Sequence, residues 1–222
     1  MPTIYINPYI HAAADWWVVP GKTCVAAYQP IGAASLAASY VNLANPGTYD
    51  AAPGVAPTWA SATGWTFNGS TQYLTTGITP PRDQTWSLLV RYVEPNWSST
   101  GWESLMGSFS TYGGYSGFLV QGRDAIGLHF WTGTTYNNAF SVLPLTGVFG
   151  FAGTNSYLDG VPGQTTASGP ATGNHLSLWI GGLNFSGALA QPVGGSILAC
   201  AVYSDTLTAG EVATLSAAMA AL

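Results

Sequence analysis

Charge is scarce in this chain. Only Lys22, Arg82, Arg91 and Arg123 are basic, nine residues are acidic, and charged residues make up 6% of the total, against roughly 25% in an average soluble protein. A nucleic-acid binder needs clustered Lys and Arg to displace counterions from phosphates, so nucleic acid is excluded as a partner. Anionic membrane surfaces are excluded for the same reason. No apolar run approaches the roughly 20 residues of a membrane-spanning helix. The first residues, Met1-Pro2-Thr3-Ile4-Tyr5-Ile6-Asn7-Pro8, have neither the basic start nor the long apolar core of a secretory signal, and none is expected there.

Cysteine is nearly absent too. Cys24 and Cys200 lie near opposite ends of the chain, and two readings stand: two small buried apolar residues, or a disulfide between a paired first and last strand. His11, His129 and His175 are scattered, with no His-x-x-x-His or Cys pair beside them. No metal and no cofactor is therefore expected.

Catalytic patterns are missing as well. Retaining glycoside hydrolysis needs two carboxyls about 5 Å apart, often from one strand. Glu94, Glu103 and Asp124 stand alone. Gly114-Tyr115-Ser116-Gly117 misses the spacing of a nucleophile elbow. His129, in an apolar strand beside Phe130-Trp131, reads as a structural histidine. No enzyme is expected.

What the chain does have is apolar and turn-forming residues. Of 222 residues, 47% are apolar, with 9 Trp, 12 Tyr and 28 Gly, enough for one sizeable β domain with a large core. With so few charges, its surface suits packing against copies of itself or binding neutral polar ligands such as sugars. Trp65 to Leu74 reads as two short strands hinged on Asn68-Gly69, the dipeptide that most readily supplies two positive φ angles. Gln84 to Val93 alternates so that Trp86, Leu88, Val90 and Tyr92 share one face. Strands are expected at 23–28, 117–121, 125–132, 148–154, 155–158, 175–182 and 196–204, with Asp159-Gly160 as a second tight turn. The polar stretch from Asn42 to Pro57 reads as a long loop, and Ala-rich 32–40 as a helical turn. Regular strand spacing with turn signals between is the signature of an all-β sandwich or jelly roll.

One helix is expected, at the end. Thr208-Ala209-Gly210-Glu211 fits a capping box, and Val212, Leu215, Met219 and Leu222 recur at roughly helical spacing. Residues 1–22, broken by Pro2, Pro8 and Pro20, read as an N-terminal arm before a body at 23–222. Trp16 and Trp17 in that arm are candidate assembly contacts, because exposed Trp pairs are costly unless covered.

The order of pieces resembles the concanavalin A-like lectin/glucanase superfamily, in its laminin-G-like bacterial and viral branch. Phe67-Asn68-Gly69 with Tyr73-Leu74 is similar to that branch's Phe-Asp/Asn-Gly hairpin. Ser87 to Val93 is similar to its next strand, and Tyr157-Leu158-Asp159-Gly160 to its Tyr-x-Asp-Gly hairpin. Val202-Tyr203, Leu207-Thr208 and Glu211 are similar to its closing strand and helix. The resemblance covers about residues 23–222 and implies a two-sheet antiparallel jelly-roll sandwich (concanavalin A-like) with a short C-terminal helix. Leu198-Ala199 stands where relatives usually carry an Asp-Glu pair, and the acidic cluster with which some relatives hold calcium is missing.

Sugar sites pair aromatic platforms with amide and hydroxyl partners. Two stretches offer that mixture: Trp97, Trp102, Tyr112 and Tyr115 among Ser, Thr and Gly, and Trp131 with Tyr136. Asn137-Asn138, following Tyr136, reads as a turn. Asn68, Asn96 and Asn184 match the glycosylation sequon but read as turn residues. Two functions are weighed. One is a surface-displayed assembly protein, a virion decoration or extracellular subunit that forms homo-oligomers and also binds glycan. The other is a dedicated carbohydrate-binding module. Either would place the protein on a virion surface or outside a cell.

Overall fold

A computed structural model of the chain describes residues 15–97, 101–110, 116–124, 126–134, 136–165 and 173–222, with the backbone alone for Tyr136 and Asn137. The described chain begins with β1 (Cys24–Tyr28), α1 (Leu36–Ser39), β2 (Ala52–Val55), β3 (Thr58–Ala60), β4 (Gly64–Asn68) and β5 (Tyr73–Thr75). It continues with β6 (Ser87–Val93), β7 (Glu103–Ser110), β8 (Ser116–Arg123), β9 (Gly127–Gly133), β10 (Tyr136–Phe140) and β11 (Thr146–Ala152). β12 (Asn155–Leu158), β13 (Val161–Thr165), β14 (Trp179–Ile180), β15 (Leu183–Phe185), β16 (Ala188–Ala190), β17 (Gly194–Tyr203) and α2 (Ala209–Ala220) complete it.

The strands form two sheets. One runs β13-β12-β11-β6-β17-β4-β3, with β1 also paired to β17. The other runs β10-β9-β8-β7-β14-β5-β2, and β15 with β16 joins it along β7. The expected two-sheet sandwich with one C-terminal helix is therefore what the chain forms. Between the sheets, alternation buries Leu88, Val90, Tyr92, Phe149, Phe151, Cys200 and Val202 from one side against Phe118, Val120, Leu128, Phe130 and Ile180 from the other. Trp86 packs at the margin of that core, so the face expected for Trp86, Leu88, Val90 and Tyr92 is the inward one.

A second apolar cluster covers the outer face of the first sheet. Leu89, Val148, Ala199, Ala201 and Tyr203 meet Val212, Leu215 and Met219 of α2, with Trp16 and Val19 packed alongside. The helix begins with the expected capping box: Glu211 N–H donates to Thr208 Oγ1 and Thr208 N–H to the Glu211 carboxylate. Trp16 Nε1 donates to Gln29 Oε1 at 2.8 Å, and the Tyr203 hydroxyl donates to the Trp17 carbonyl at 2.7 Å. The Trp16 and Trp17 rings meet edge to face at 5.7 Å. The described part of the arm thus lies on the outer face of this sheet, beside α2.

Some expectations need correction. Residues 65–74 are not a hairpin, because β4 pairs with β3 and β17 in one sheet while β5 pairs with β2 and β14 in the other. The reason is chemical. Asn68 Oδ1 accepts from the N–H groups of Ser70, Thr71 and Gln72, an Asx turn that carries the chain across between sheets. Only Gly69, at φ +70°, takes the positive angle. The stretch 42–57 contains β2, and 175–182 contributes only the two residues of β14. Asp159 and Gly160 do form the tight β12–β13 turn, with φ +51° and +78°. Cys24 and Cys200 are free thiols. They lie on paired strands, but Cys24 faces Tyr203 and Cys200 faces Tyr28 in the register, so the two sulfurs sit at opposite ends of the pairing.

Candidate functional site

The outer face of the second sheet carries a cleft. On β7, β8 and β9 the register brings outward residues into rows: Ser104 opposite Gln121 and Gln121 opposite His129, then Gly107 opposite Leu119 and Leu119 opposite Trp131, then Phe109 opposite Gly117. The short β15–β16 hairpin extends the face. β15 pairs parallel to β7 and sets Leu183 beside Gly107 and Phe185 beside Phe109. The cavity so formed has a volume of about 290 Å³, lined by Trp102, Phe109, Leu119, Gln121, Trp131, Leu183, Phe185 and Gln191.

Its walls are aromatic and set at definite angles. Phe109 meets Trp131 edge to face, with centroids 4.9 Å apart and planes at 90°. Phe109 also stacks on Phe185 at 5.6 Å and 8°. These geometries are the favourable ones for rings carrying a quadrupole. Gly117 lies under the pair, and a Cβ there would come within 2.8 Å of Trp131 Cβ and 2.9 Å of Phe109 Cδ2. At the opposite end Trp102 covers His129, its ring 4.4 Å away and edge-on. The Arg123 guanidinium carbon lies 5.7 Å from the Trp102 ring centre. His129 is completely buried, in keeping with its reading as a structural residue.

Polar function in the cleft comes from Gln121 and Gln191. Gln191 holds φ +49°, and Ser104 grips it twice: the Ser104 N–H donates to the Gln191 carbonyl and Ser104 Oγ donates to Gln191 Oε1, both at 2.9 Å. Glu103, one residue earlier on β7, pairs with Gly122 and falls on the other face by alternation.

The six residues expected to contact ligand are distributed unevenly. Trp102 and Trp131 come together in the cleft. Trp97 does not join them. It packs against the interior beside Tyr92, ring centres 5.8 Å apart, and lies over Gly122. Tyr112 and Tyr115 fall outside the described residues. Tyr136 is placed by its backbone only, opposite Trp131 in the β9–β10 register. Asn137 and Asn138, expected in a turn, are residues of β10. Phe109, Leu119, Leu183, Phe185, Gln121 and Gln191 were not anticipated. Phe185 was legible only as part of a sequon-like turn, and that turn is real: Asn184 Oδ1 accepts from Gly187 N–H at 2.9 Å. No group of three or more His, Cys, Asp or Glu side chains placed to hold a metal occurs among the described residues.

The architecture is a two-sheet, mainly antiparallel β-sandwich. No protein-family model matches the chain, and no curated protein sequence does. Solved structures do. A Trypanosoma rangeli sialidase in complex with the inhibitor DANA is 17% identical, with a TM-score of 0.61 over 90% of this chain and 33% of that one. NanB sialidase from Streptococcus pneumoniae, solved as a mutant, is 16% identical, with a TM-score of 0.50 over 69% of this chain and 27% of that one. The chain thus spans about a third or less of the length of these sialidases. At such identities the likeness is one of fold. A Ruminococcus gnavus sialidase CBM40 bound to sialyllactose also matches, at 16% identity and a TM-score of 0.47 over 60% of this chain and 82% of that one.

Proposed function

We propose that this chain is a non-catalytic carbohydrate-binding domain whose ligand lies in the cleft of the second sheet. One observation carries the reading: four aromatic rings, Trp102, Phe109, Trp131 and Phe185, converge with two side-chain amides, Gln121 and Gln191, in one cavity. Apolar rings take the C–H faces of a sugar, and amides take its polar edges. Among the described residues, none that lines the cavity is a carboxylate, whereas glycoside hydrolysis by the usual mechanisms needs two flanking the bond. That supports binding without cleavage. The sialidases that share the fold are enzymes, but fold alone does not transfer activity. Within the fold, the order of the Ser87 to Val93, Tyr157 to Gly160 and Thr208 to Glu211 motifs supports the laminin-G-like branch.

The test is a glycan array with wild type, Trp102→Ala and Trp131→Ala. Each substitution should weaken retention by roughly tenfold or more while shifting the melting temperature little, because both rings are only partly buried. Unchanged retention in both variants would sink the site. Release of reducing sugar from any retained glycan would overturn the non-catalytic part.

A second reading, a surface-displayed virion or extracellular assembly subunit forming homo-oligomers, rests on different observations. These are the 6% charge and the exposed apolar side chains Val18, Val142, Leu145 and Val161. Light scattering at several concentrations tests it. A large species stable to dilution supports the assembly role, and a monomer at every concentration removes it.

A further inference from the structure

The two ends of the cleft differ in chemistry, and the difference narrows the ligand. At the polar end, Gln191 sits at φ +49°, a backbone conformation that a residue with a side chain keeps only where its surroundings hold it. Ser104 supplies the hold through its N–H and its hydroxyl. Because the hydroxyl engages Gln191 Oε1, the amide's Nε2 group, a donor of two hydrogen bonds, faces away from Ser104. Beyond it the lining turns apolar: Leu119 and Leu183, then Phe109 with Phe185 stacked on it.

A plain hexose presents hydroxyls around its ring, each a donor and an acceptor, and is best held by side chains that accept as well as donate. Here one of the two amides already spends part of its acceptor capacity on Ser104, and among the described residues no lining side chain carries charge. An acetamido substituent presents what this cleft complements, a carbonyl acceptor next to a methyl group. We infer that the cleft selects sugars bearing an acetamido group, with the Gln191 amide, oriented by Ser104, donating to the acetamido carbonyl while the methyl packs on Leu183. Trp131 and Phe109 then take the C–H face of the ring. Gln191 is the specificity-determining residue and Ser104 its positioning residue.

This inference rests on the carbohydrate-binding reading, and the experiment separates the two. The whole chain is titrated calorimetrically with N,N′-diacetylchitobiose and with cellobiose, which share a backbone and linkage and differ only in the acetamido groups. The diacetyl sugar should bind at least roughly tenfold tighter, the worth of one good hydrogen bond plus a buried methyl. Gln191→Glu keeps an acceptor for Ser104 and removes the donor, so it should erase the discrimination at an unchanged melting temperature. Ser104→Ala releases the amide and should shrink the ratio between the two sugars, a readout that a purely structural serine would not move. Equal affinity of wild type for both sugars overturns the inference and leaves the carbohydrate reading standing. Binding of neither, with other glycans retained on the array, overturns the inference too, and an array with no retained glycan removes the underlying function instead.

Discussion

Gly117 and His175 show how much single positions decide here. A methyl at Gly117 would press on Trp131 Cβ and Phe109 Cδ2 from below 3 Å, and Trp131 Cβ is fixed to the backbone of β9, a strand paired on both sides. Gly117→Ala should therefore cost about 1–3 kcal/mol of stability and weaken glycan retention, measured by urea unfolding and by affinity electrophoresis. His175 is buried with its Nδ1 3.3 Å from Ser116 Oγ and its ring 5.7 Å from Phe118. Burial pushes it down to about 4, the Arg82 charge adds to the push, and Asp83 opposes it. The unfolded chain protonates this ring near 6.5, so between the two values the unfolded state holds more protons. Stability should fall as pH drops from about 6.5 to about 4, by up to about 3 kcal/mol. His175→Gln should flatten that part of the melting-temperature profile, and an unaltered slope would count against it. At this scale the site was half legible. Trp102 and Trp131 stood out in aromatic, polar stretches, but nothing near Phe109, Leu183, Phe185 or Gln191 marks them as neighbours of those rings. Their convergence depends on β15 pairing parallel to β7, a long-range choice that no local pattern encodes.

Elements were more legible where their chemistry is local. The capping box of α2 can be read directly from Thr208 and Glu211, since both partners lie within one turn, and the Asp159-Gly160 turn needs only its two residues. Thr208→Ala should cost about 1 kcal/mol, measured by urea unfolding, without changing glycan affinity, because α2 and the cleft lie on opposite outer faces of the sandwich and distant sites behave independently. The Asn68-Gly69 stretch misled because the same dipeptide serves two devices. With positive φ at both residues it makes a hairpin turn. With the Asn side chain capping three successive N–H groups it makes a crossover, and the partners that decide, β17 and β14, are over a hundred residues downstream. β2 was hidden for a similar reason. Its sequence, Ala52-Pro53-Gly54-Val55, is made of turn formers, and it is held as an edge strand by β5, the position where proline is tolerated.

At the scale of the whole molecule, the layers run from the arm and α2, through the first sheet and the main core, to the second sheet and its cleft. Trp16 and Val19 pack into the α2 layer, so deleting residues 1–22 should lower stability by about 2 kcal/mol or more, seen as an earlier urea midpoint. A midpoint equal to that of the full chain would mean the arm contributes contacts elsewhere. The first sheet is closed by β17, which pairs with β6 along one side and with β4 and β1 along the other. During synthesis, then, the edges of β6 and β4 emerge long before the strand that joins them. At roughly 5–20 residues per second the gap from β6 to the end of β17 lasts on the order of ten seconds. Over that interval the nascent chain exposes two bare, apolar strand edges, the condition most open to wrong pairing and to capture by chaperones. Nascent chains stalled behind a C-terminal linker should be protease-sensitive while the linker is too short to bring Tyr203 out of the ribosome, and turn resistant in a single step once it is long enough. Synthesis slowed between β6 and Gly194 should lower the yield of folded protein.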